Sequence, residues 1–378
     1  MENEIIITPQ HIVKIFKTYH STHPLKIICD IIYDENGAFK TEDLAEYAWA
    51  FNTLNAVGRA LMTLSQVSME AYEDMVEVKL RAKKKKGYNR HNLISAFCEL
   101  SLMNTFIVRS SDRNSFVYED RCVEGSDKNV EFSIKMAEFT FHVEVKTSDL
   151  LMEDRNIVKA LEDSEQVLVL DARNKMFKEI KEKSKIPVIG SLDHRLIDYL
   201  ESANGKFSPT KDEMEINLLV ICWDDRIHQP LMALKSEDAE GLLTVNTHLK
   251  EEDGSLKTFD NVDCILLNSS YHLFKEYIGF MLFDEFSPQY PVDPFYQLFT
   301  YNYLIDRNLT EDRVKMIQSI IQQRVIIVDE EYAKSLPPVS VAFMKDKESN
   351  VISFRKRNIE DVVDLNGEND LKVINLHV

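Results

Sequence analysis

A glutamate and a lysine lie two positions apart in the apolar segment "FHVEVKTSD", which runs from Phe141 to Asp149. Successive side chains of an extended chain point to opposite faces, so Glu144 and Lys146 are predicted to share one face. Strand interiors usually avoid both residue types. A carboxylate beside an ammonium group in this position favours a metal-dependent nuclease site, because the carboxylate can bind a cation and the ammonium can stabilise charge on a phosphate.

The pattern of an acid, any residue and a lysine is weak evidence alone, because it occurs four times in this chain. The four copies are Glu77-Val78-Lys79, Glu144-Val145-Lys146, Glu179-Ile180-Lys181 and Asp370-Leu371-Lys372. Two of them lie in charged helical stretches, where a surface ion pair is the simpler interpretation. The copy at Glu144 differs because it lies in an apolar strand pattern.

A β-hairpin is predicted around this copy, with Ala137-Glu138 as a two-residue turn between "VEFSIKM" and "EFTFHVEVK". The predicted pairs are Met136 with Phe139, Ile134 with Phe141, Phe132 with Val143, and Glu131 with Glu144. One face of the hairpin is then apolar and consists of Phe132, Ile134, Met136, Phe139, Phe141, Val143 and Val145. The other face consists of Glu131, Ser133, Lys135, Thr140, His142, Glu144 and Lys146.

Two carboxylates that face each other across a ladder repel, so the predicted pair Glu131 and Glu144 needs a compensating positive charge. A divalent cation supplies it, and carboxylate oxygens suit Mg²⁺ (or Mn²⁺), which also accepts phosphate oxygens as ligands. Lys146 would then lie near the metal-bound water, where it could orient that water or stabilise charge on the phosphate.

With these residues the segment resembles the PD-(D/E)xK nuclease superfamily, the fold of many restriction enzymes and repair nucleases. The resemblance covers about 80 of the 378 residues and implies that Glu131 is the first acid, Glu144 the second acid and Lys146 the lysine of the motif. It also implies the Val145 carbonyl as a metal ligand and Glu99, an isolated charge in an apolar helix, as a further catalytic residue.

The first acid of the motif departs from the superfamily pattern. Val130-Glu131 stands where a Pro-Asp is usual, and Asp127 in the loop "GSDK" is an alternative first acid. Asp127 would need a different turn or a bulge to reach Glu144, so Glu131 is the preferred residue, and both remain open.

The predicted fold class is α/β, with a restriction-endonuclease-like αβββαβ core and a mixed sheet. The first helix of this core is "HNLISAFCELSLMNTF", its second helix is "DLLMEDRNIVKALEDS", and its last strand is "QVLVLD". The segments "INLLVICW" and "VDCILLN" are expected to extend the same sheet. The predicted domains are a helical region at 1–90, which weakly resembles a winged helix, the core at 91–270, and a C-terminal region of helices and a β-hairpin at 271–378.

A basic run lies just before the predicted core helix. Residues 76–95 contain seven Lys or Arg against one Glu, although the whole chain has a net charge of −18. The charge run is typical of a solvated surface, but its position also allows phosphate contacts near the metal. The candidate nucleic-acid contacts are Lys83, Lys84, Lys85, Lys86 and Arg90.

Other chemistries find little support in the sequence. The five cysteines form no CxxC pair and indicate buried thiols in a reducing compartment. The segment "SANGKF" is too short for a phosphate-binding loop. The acidic N-terminal segment is unlike a signal peptide, and no apolar run has the length of a membrane span, so a cytoplasmic protein is expected.

Two functions follow from these patterns. The preferred one is a Mg²⁺-dependent endonuclease with a restriction or defence role, for which DNA is preferred over RNA as the substrate. The alternative is a non-catalytic nucleic-acid-binding or regulatory protein with a degenerate nuclease-like scaffold. The sequence leaves open whether the substrate is DNA or RNA, where it is cleaved, which sequence is recognised, whether the chain forms a homo-oligomer, and whether a ligand or partner activates it.

Overall fold

The computed structural model of the chain describes residues 7–40, 48–123, 125, 127–148, 166–170, 188–190, 193–209, 213–223, 228–236, 241–247, 249–251, 253–283, 302–307, 309–321, 325–327, 341–345 and 351–355. The predicted core helix "DLLMEDRNIVKALEDS" lies outside these residues. No helix within them has the length and apolar character that a membrane span requires.

Helices dominate the first part of the described chain, and strands begin at Val117. The helices are α1 (Pro9–Phe16), α2 (Pro24–Ile32), α3 (Ala48–Val67), α4 (Met69–Asp74), α5 (Arg90–Arg109), α6 (Asp193–Asn204), α7 (His228–Lys235), α8 (Ser270–Phe283) and α9 (Glu311–Ile321). The strands are β1 (Val117–Tyr118), β2 (Phe132–Met136), β3 (Phe139–Thr147), β4 (Gln166–Leu170), β5 (Val188–Gly190), β6 (Glu215–Cys222), β7 (Cys264–Asn268), β8 (Asn302–Asp306), β9 (Val325–Ile327), β10 (Val341–Lys345) and β11 (Val351–Arg355).

The chain divides into two compact units. The first unit comprises Met1–Thr147, Ala203–Asp225 and Asn261–Ile326, and the second comprises Ser148–Ser202, Arg226–Asp260 and Ile327–Val378. The predicted domains 1–90, 91–270 and 271–378 do not coincide with these units. The N-terminal helices belong to the same unit as the β2–β3 hairpin, because their apolar side chains share one buried core.

The N-terminal region is helical as predicted, and its first helix begins at Pro9. Pro9 occupies the first turn of α1, where its missing N–H would have no helical partner in any case. Thr8 precedes it, and the Thr8 N–H donates to Nδ1 of His11 at 3.3 Å. After α4 the chain makes a single π-helical turn, Met75–Lys79, before the basic run begins.

Helix α5 is the apolar helix on which the hairpin packs. Its N-cap is Asn89, whose side chain accepts a hydrogen bond from the Asn92 N–H. Phe106 of α5 contacts two aromatic rings of the hairpin edge-on, Phe132 at 5.4 Å and Phe141 at 5.6 Å between ring centroids. These contacts fix the apolar face of the hairpin against the helix.

The β2–β3 hairpin has the predicted turn and register. Ala137 and Glu138 connect the strands, and Ala137 adopts the left-handed conformation with a φ of 52° that tight hairpin turns need. The paired residues are Phe132 with Val143, Ser133 with His142, Ile134 with Phe141, Lys135 with Thr140, and Met136 with Phe139. All seven side chains of the predicted apolar face are buried, so that prediction is confirmed.

The hairpin belongs to a seven-stranded mixed sheet with the strand order β1-β2-β3-β6-β7-β8-β9. Strand β6 lies parallel to β3, and β7 lies parallel to β6. The prediction that "INLLVICW" and "VDCILLN" extend the sheet of the hairpin is therefore confirmed. The α/β class is also confirmed.

The prediction for "QVLVLD" is wrong. This segment forms β4, which belongs to a second sheet of four strands in the order β11-β10-β4-β5. The strand beside β3 is β6, which comes much later in the chain. A short apolar run indicates a buried strand but does not indicate which sheet buries it. The predicted C-terminal hairpin is confirmed as the antiparallel pair β10–β11.

Candidate functional site

Glu144 is a fully buried carboxylate near the end of β3. It lies one residue beyond the β2–β3 ladder, since β2 begins at Phe132 opposite Val143, while β6 continues beside β3 as far as Thr147. The side chain of Glu144 has an exposed fraction of 0%. An ionised carboxylate in this position needs partners, because burial of an unpaired charge costs much free energy.

Two lysines supply positive charge to one oxygen of Glu144. Oε1 lies 2.6 Å from Nζ of Lys146 and 2.7 Å from Nζ of Lys206. The other oxygen, Oε2, is buried and has no hydrogen-bond partner among the described residues. Glu144 and Lys146 are therefore side by side as predicted, and the ammonium group of Lys206 is a second positive group at the same oxygen.

Lys206 was not predicted as a site residue. It follows α6 in the turn of "SANGKF", where its N–H donates to the Ala203 carbonyl at 3.0 Å and the next side chain, Phe207, is buried. The predicted turn is present at Gly205 and Lys206. The sequence carries no local signal that this lysine meets Glu144, because the two residues are far apart in the chain.

Glu131 and Glu99 belong to a second charged cluster, which is centred on Lys79. Nζ of Lys79 lies 2.5 Å from Oε2 of Glu99 and 3.1 Å from Oε2 of Glu131. The three side chains are 15 to 20% exposed. Two carboxylates thus share one ammonium group, and Lys79 offsets the repulsion between Glu99 and Glu131.

Lys79 was missed because the copy Glu77-Val78-Lys79 was interpreted as a surface pair. Glu77 does pair with Arg81 on the surface, at 2.7 Å. Lys79 instead ends the π-helical turn Met75–Lys79, and its side chain reaches the ring of Tyr118 as well as the two carboxylates. A π-turn holds one residue more than an α-turn, which changes the direction of the side chains that follow.

The predicted pairing of Glu131 with Glu144 is not part of the ladder. The ladder ends at Phe132, and Glu131 precedes the strand, with its carbonyl accepting from the Glu119 N–H at 3.0 Å. Among the described contacts, Glu131 pairs with Lys79 and Glu144 pairs with Lys146 and Lys206. Asp127, the alternative first acid, is exposed.

Burial and charge shift the pKa values of the Lys79 cluster. Burial, followed by the negative charge of Glu131, raises the pKa of Glu99 to about 7, although Lys79 acts in the opposite direction. Burial lowers the pKa of Lys79, but the charges of Glu99 and Glu131 outweigh it and raise this pKa well above its usual range. Lys79 is therefore charged at neutral pH, while Glu99 titrates there.

The raised pKa of Glu99 predicts a pH dependence of stability. Between the ordinary pKa of 4.5 and about 7 the folded chain keeps a proton that the unfolded chain releases, so this contribution to stability falls as pH rises. We expect the free energy of unfolding of the wild type, measured with urea, to fall relative to that of Glu99→Gln between pH 5 and about 7, by at most about 1.4 kcal/mol per pH unit, and to change little above that.

The control for this pH series is Glu77→Gln, since Glu77 is 55% exposed and forms a surface ion pair. Its stability difference from the wild type is expected to stay constant over the same range. A difference between the wild type and Glu99→Gln that does not change with pH would contradict the assigned shift.

The predicted basic contacts divide into an exposed loop and one structural residue. Lys83, Lys84, Lys85 and Lys86 are exposed in a short loop that closes with an antiparallel bridge between Lys83 and Tyr88. Arg90 instead donates from Nη2 to the Lys275 carbonyl at 2.9 Å, so it joins the start of α5 to α8.

No family model, no curated protein and no solved structure matches this chain.

Proposed function

We propose that the chain is a metal-dependent nuclease of the PD-(D/E)xK type that hydrolyses phosphodiester bonds of DNA. The observation that carries this proposal is the buried carboxylate of Glu144, which has two ammonium groups at Oε1 and no hydrogen-bond partner at Oε2 among the described residues. An unsatisfied buried oxygen costs free energy. A cation bound at Oε2 would remove that cost.

The chain order of the elements around Glu144 supports the proposal. Helix α5 is followed by β1, β2 and β3, and later by α6 and the strand β6 parallel to β3. If β4 and β5, which come between β3 and α6 and belong to the second sheet, are left out, this order agrees with the helix, three strands, helix and strand that the superfamily resemblance implies. The acid-any-lysine motif lies on β3, the third strand of that order.

The donor set fits a hard divalent cation such as Mg²⁺ or Mn²⁺, because such ions take oxygen ligands. Glu144 would hold it through Oε2, together with the Val145 carbonyl that the resemblance implies. Glu131 would be a further ligand only after leaving Lys79, to which its carboxylate is paired. When bound, the ion supplies Lewis-acid chemistry, which activates water and neutralises phosphate charge.

The two lysines beside Glu144 provide positive charge that can stabilise a phosphodiester during its hydrolysis. Lys146 and Lys206 are 21% and 19% exposed, so each connects a buried carboxylate with solvent. Positioned ammonium groups stabilise the negative charge that develops on a phosphate during displacement, and they do so most strongly where water is excluded. In the proposed reaction Lys146 stabilises the charge that develops on the scissile phosphate, and Lys206 orients the Glu144 carboxylate.

The exposed loop of Lys83 to Lys86 is the proposed contact with the DNA backbone. Four consecutive lysines concentrate positive charge on a chain whose net charge is −18, so binding depends on this local surface rather than on the whole molecule. The loop connects the π-helical turn that carries Lys79 with α5, which carries Glu99.

The double substitution Lys84→Gln and Lys85→Gln is expected to weaken DNA binding and its salt dependence. Loss of two phosphate contacts lowers the slope of log K against log salt by about 1.8, because each contact releases about 0.9 counterion. Fluorescence anisotropy with a labelled duplex over a salt series measures this slope. Lys250→Gln, at another exposed lysine, is the control and should keep the wild-type slope.

The experiment that tests the proposed function is a plasmid-nicking assay with Mg²⁺, Mn²⁺ or EDTA, done in parallel with Mn²⁺ binding measured by electron paramagnetic resonance. We expect nicking with either metal and none with EDTA. Glu144→Gln is expected to abolish nicking and to weaken Mn²⁺ binding at least about 10-fold.

Two results would contradict the proposed nuclease. DNA binding without cleavage under every metal condition would favour the alternative, a nucleic-acid-binding protein with a nuclease-like scaffold. Cleavage that persists in Glu144→Gln at the wild-type rate would place the activity in another part of the chain or in a contaminant.

A further inference from the structure

A second group of potential ligands lies between β1 and β3, apart from the ion pairs described above. It consists of Asp120 and Cys122, in the segment that follows β1, and His142 on β3. Nδ1 of His142 lies 3.4 Å from Sγ of Cys122 and 3.6 Å from Oδ2 of Asp120. Sγ of Cys122 lies 3.9 Å from the same carboxylate oxygen.

Three polar side chains converge on a single ring nitrogen in this cluster. Besides Asp120 and Cys122, the hydroxyl of Ser133 lies 2.7 Å from Nδ1 of His142. One N–H can donate well to only one of them. The arrangement is not a Ser-His-Asp relay, because such a relay contacts the serine and the aspartate through different ring nitrogens. A cation at the centre would satisfy the aspartate, the cysteine and the histidine together.

The distances suit a tetrahedral ion. A zinc ion with bonds of about 2.0 Å to nitrogen and oxygen and about 2.3 Å to sulfur separates its ligand atoms by about 3.3 to 3.6 Å. The three separations in the cluster are 3.4, 3.6 and 3.9 Å, so small side-chain rotations suffice to close the site. The imidazole, thiolate and carboxylate donors are also those that zinc selects.

We propose that Asp120, Cys122 and His142 bind one Zn²⁺ ion, with water as the fourth ligand. The hydroxyl of Ser133 hydrogen-bonds the Asp120 carboxylate and thereby orients Asp120 toward the ion. The ion would tie the segment that follows β1 to β3. The segment is otherwise closed by backbone bonds from Glu119 N–H to Glu131 and from Val130 N–H to Asp120.

The zinc site shares no ligand with the proposed Mg²⁺ site, and its proposed role is structural rather than catalytic. Cys122 is partly exposed, whereas Cys29, Cys98, Cys222 and Cys264 are buried. A metal ion can therefore reach Cys122 without unfolding the chain. Because Glu131 ends the tethered segment, zinc is expected to stabilise the position of this residue and to act structurally rather than in cleavage.

Cobalt substitution in the full-length chain tests the zinc site directly. We expect the reduced, metal-free protein to bind one equivalent of Co²⁺ with a thiolate-to-cobalt charge-transfer band, which Zn²⁺ abolishes by displacement. Cys122→Ser should lose this band, and the control Cys29→Ser should keep it. Ser133→Ala should keep the band but bind about 10- to 100-fold more weakly, as expected for a residue that positions a ligand.

A measurement on the wild type tests the same site without depending on whether a variant folds. Zn²⁺ is expected to protect Cys122 from alkylation, as located by mass spectrometry, whereas Mg²⁺ should give no protection. Alkylation of Cys122 that is unaffected by Zn²⁺, or a cobalt band that survives in Cys122→Ser, would overturn the proposed site whatever the result of the nicking assay.

Discussion

Replacing Lys146 by alanine is expected to lower the rate of Mg²⁺-dependent DNA cleavage about 100- to 1000-fold and to leave the DNA dissociation constant nearly unchanged. Nζ of Lys146 lies 2.6 Å from the buried carboxylate of Glu144, the residue that holds the metal ion in the proposed function. In the proposed function the exposed lysine loop supplies most of the affinity for DNA, and this loop is intact in the variant. Single-turnover nicking and DNA binding in EDTA measure the two quantities separately.

Lys135→Ala is the matched control for this prediction. Lys135 lies on β2, belongs to the same polar face of the hairpin by alternation, and has an exposed side chain. It should cleave at the wild-type rate. Equal rates in the two variants would show that Lys146 has no special part in the reaction, and weaker DNA binding by Lys146→Ala would reduce its role to general electrostatics.

The second large effect is expected for Phe106→Ala, which should lower the free energy of unfolding by about 3 to 5 kcal/mol. Phe106 is 1% exposed and contacts both strands of the hairpin through Phe132 and Phe141. Its removal leaves a cavity between α5 and the sheet in addition to the lost burial of the ring. Urea unfolding monitored by circular dichroism measures the change.

Val108→Ala, two residues further along α5, is the control. Val108 is 36% exposed, so its truncation should change stability by no more than about 0.5 kcal/mol. A loss below about 1 kcal/mol for Phe106→Ala would mean that α5 and the hairpin are held together mainly by other contacts.

The two predictions are linked through α5. This helix packs on the hairpin through Phe106 and carries Glu99 in the Lys79 cluster, and Ser95 of α5 hydrogen-bonds Thr147 at the end of β3 at 2.6 Å. The position of Glu144 relative to the helix therefore depends on apolar packing several residues away. Weakened packing is expected to reduce cleavage as well as stability.

The sequence by itself determined the hairpin and its two faces. A two-residue turn at Ala137-Glu138, flanked by strictly alternating side chains, permits one register, because a shift by one residue would expose Phe132, Ile134 and Phe141. The buried strands β6 and β7 and the C-terminal pair β10–β11 follow from local patterns of the same kind. The juxtaposition of Glu144 and Lys146 is also local, since alternation alone places them on one face.

Only the tertiary structure decided which distant residues complete each charged cluster. Lys79 reaches Glu99 and Glu131 from a π-helical turn, and Lys206 reaches Glu144 from the end of α6. The tertiary structure also decided that "QVLVLD" belongs to the second sheet and not to the sheet of the hairpin. Periodicity records the face on which a side chain lies, whereas the identity of its neighbour depends on how separate segments pack, which no local pattern encodes.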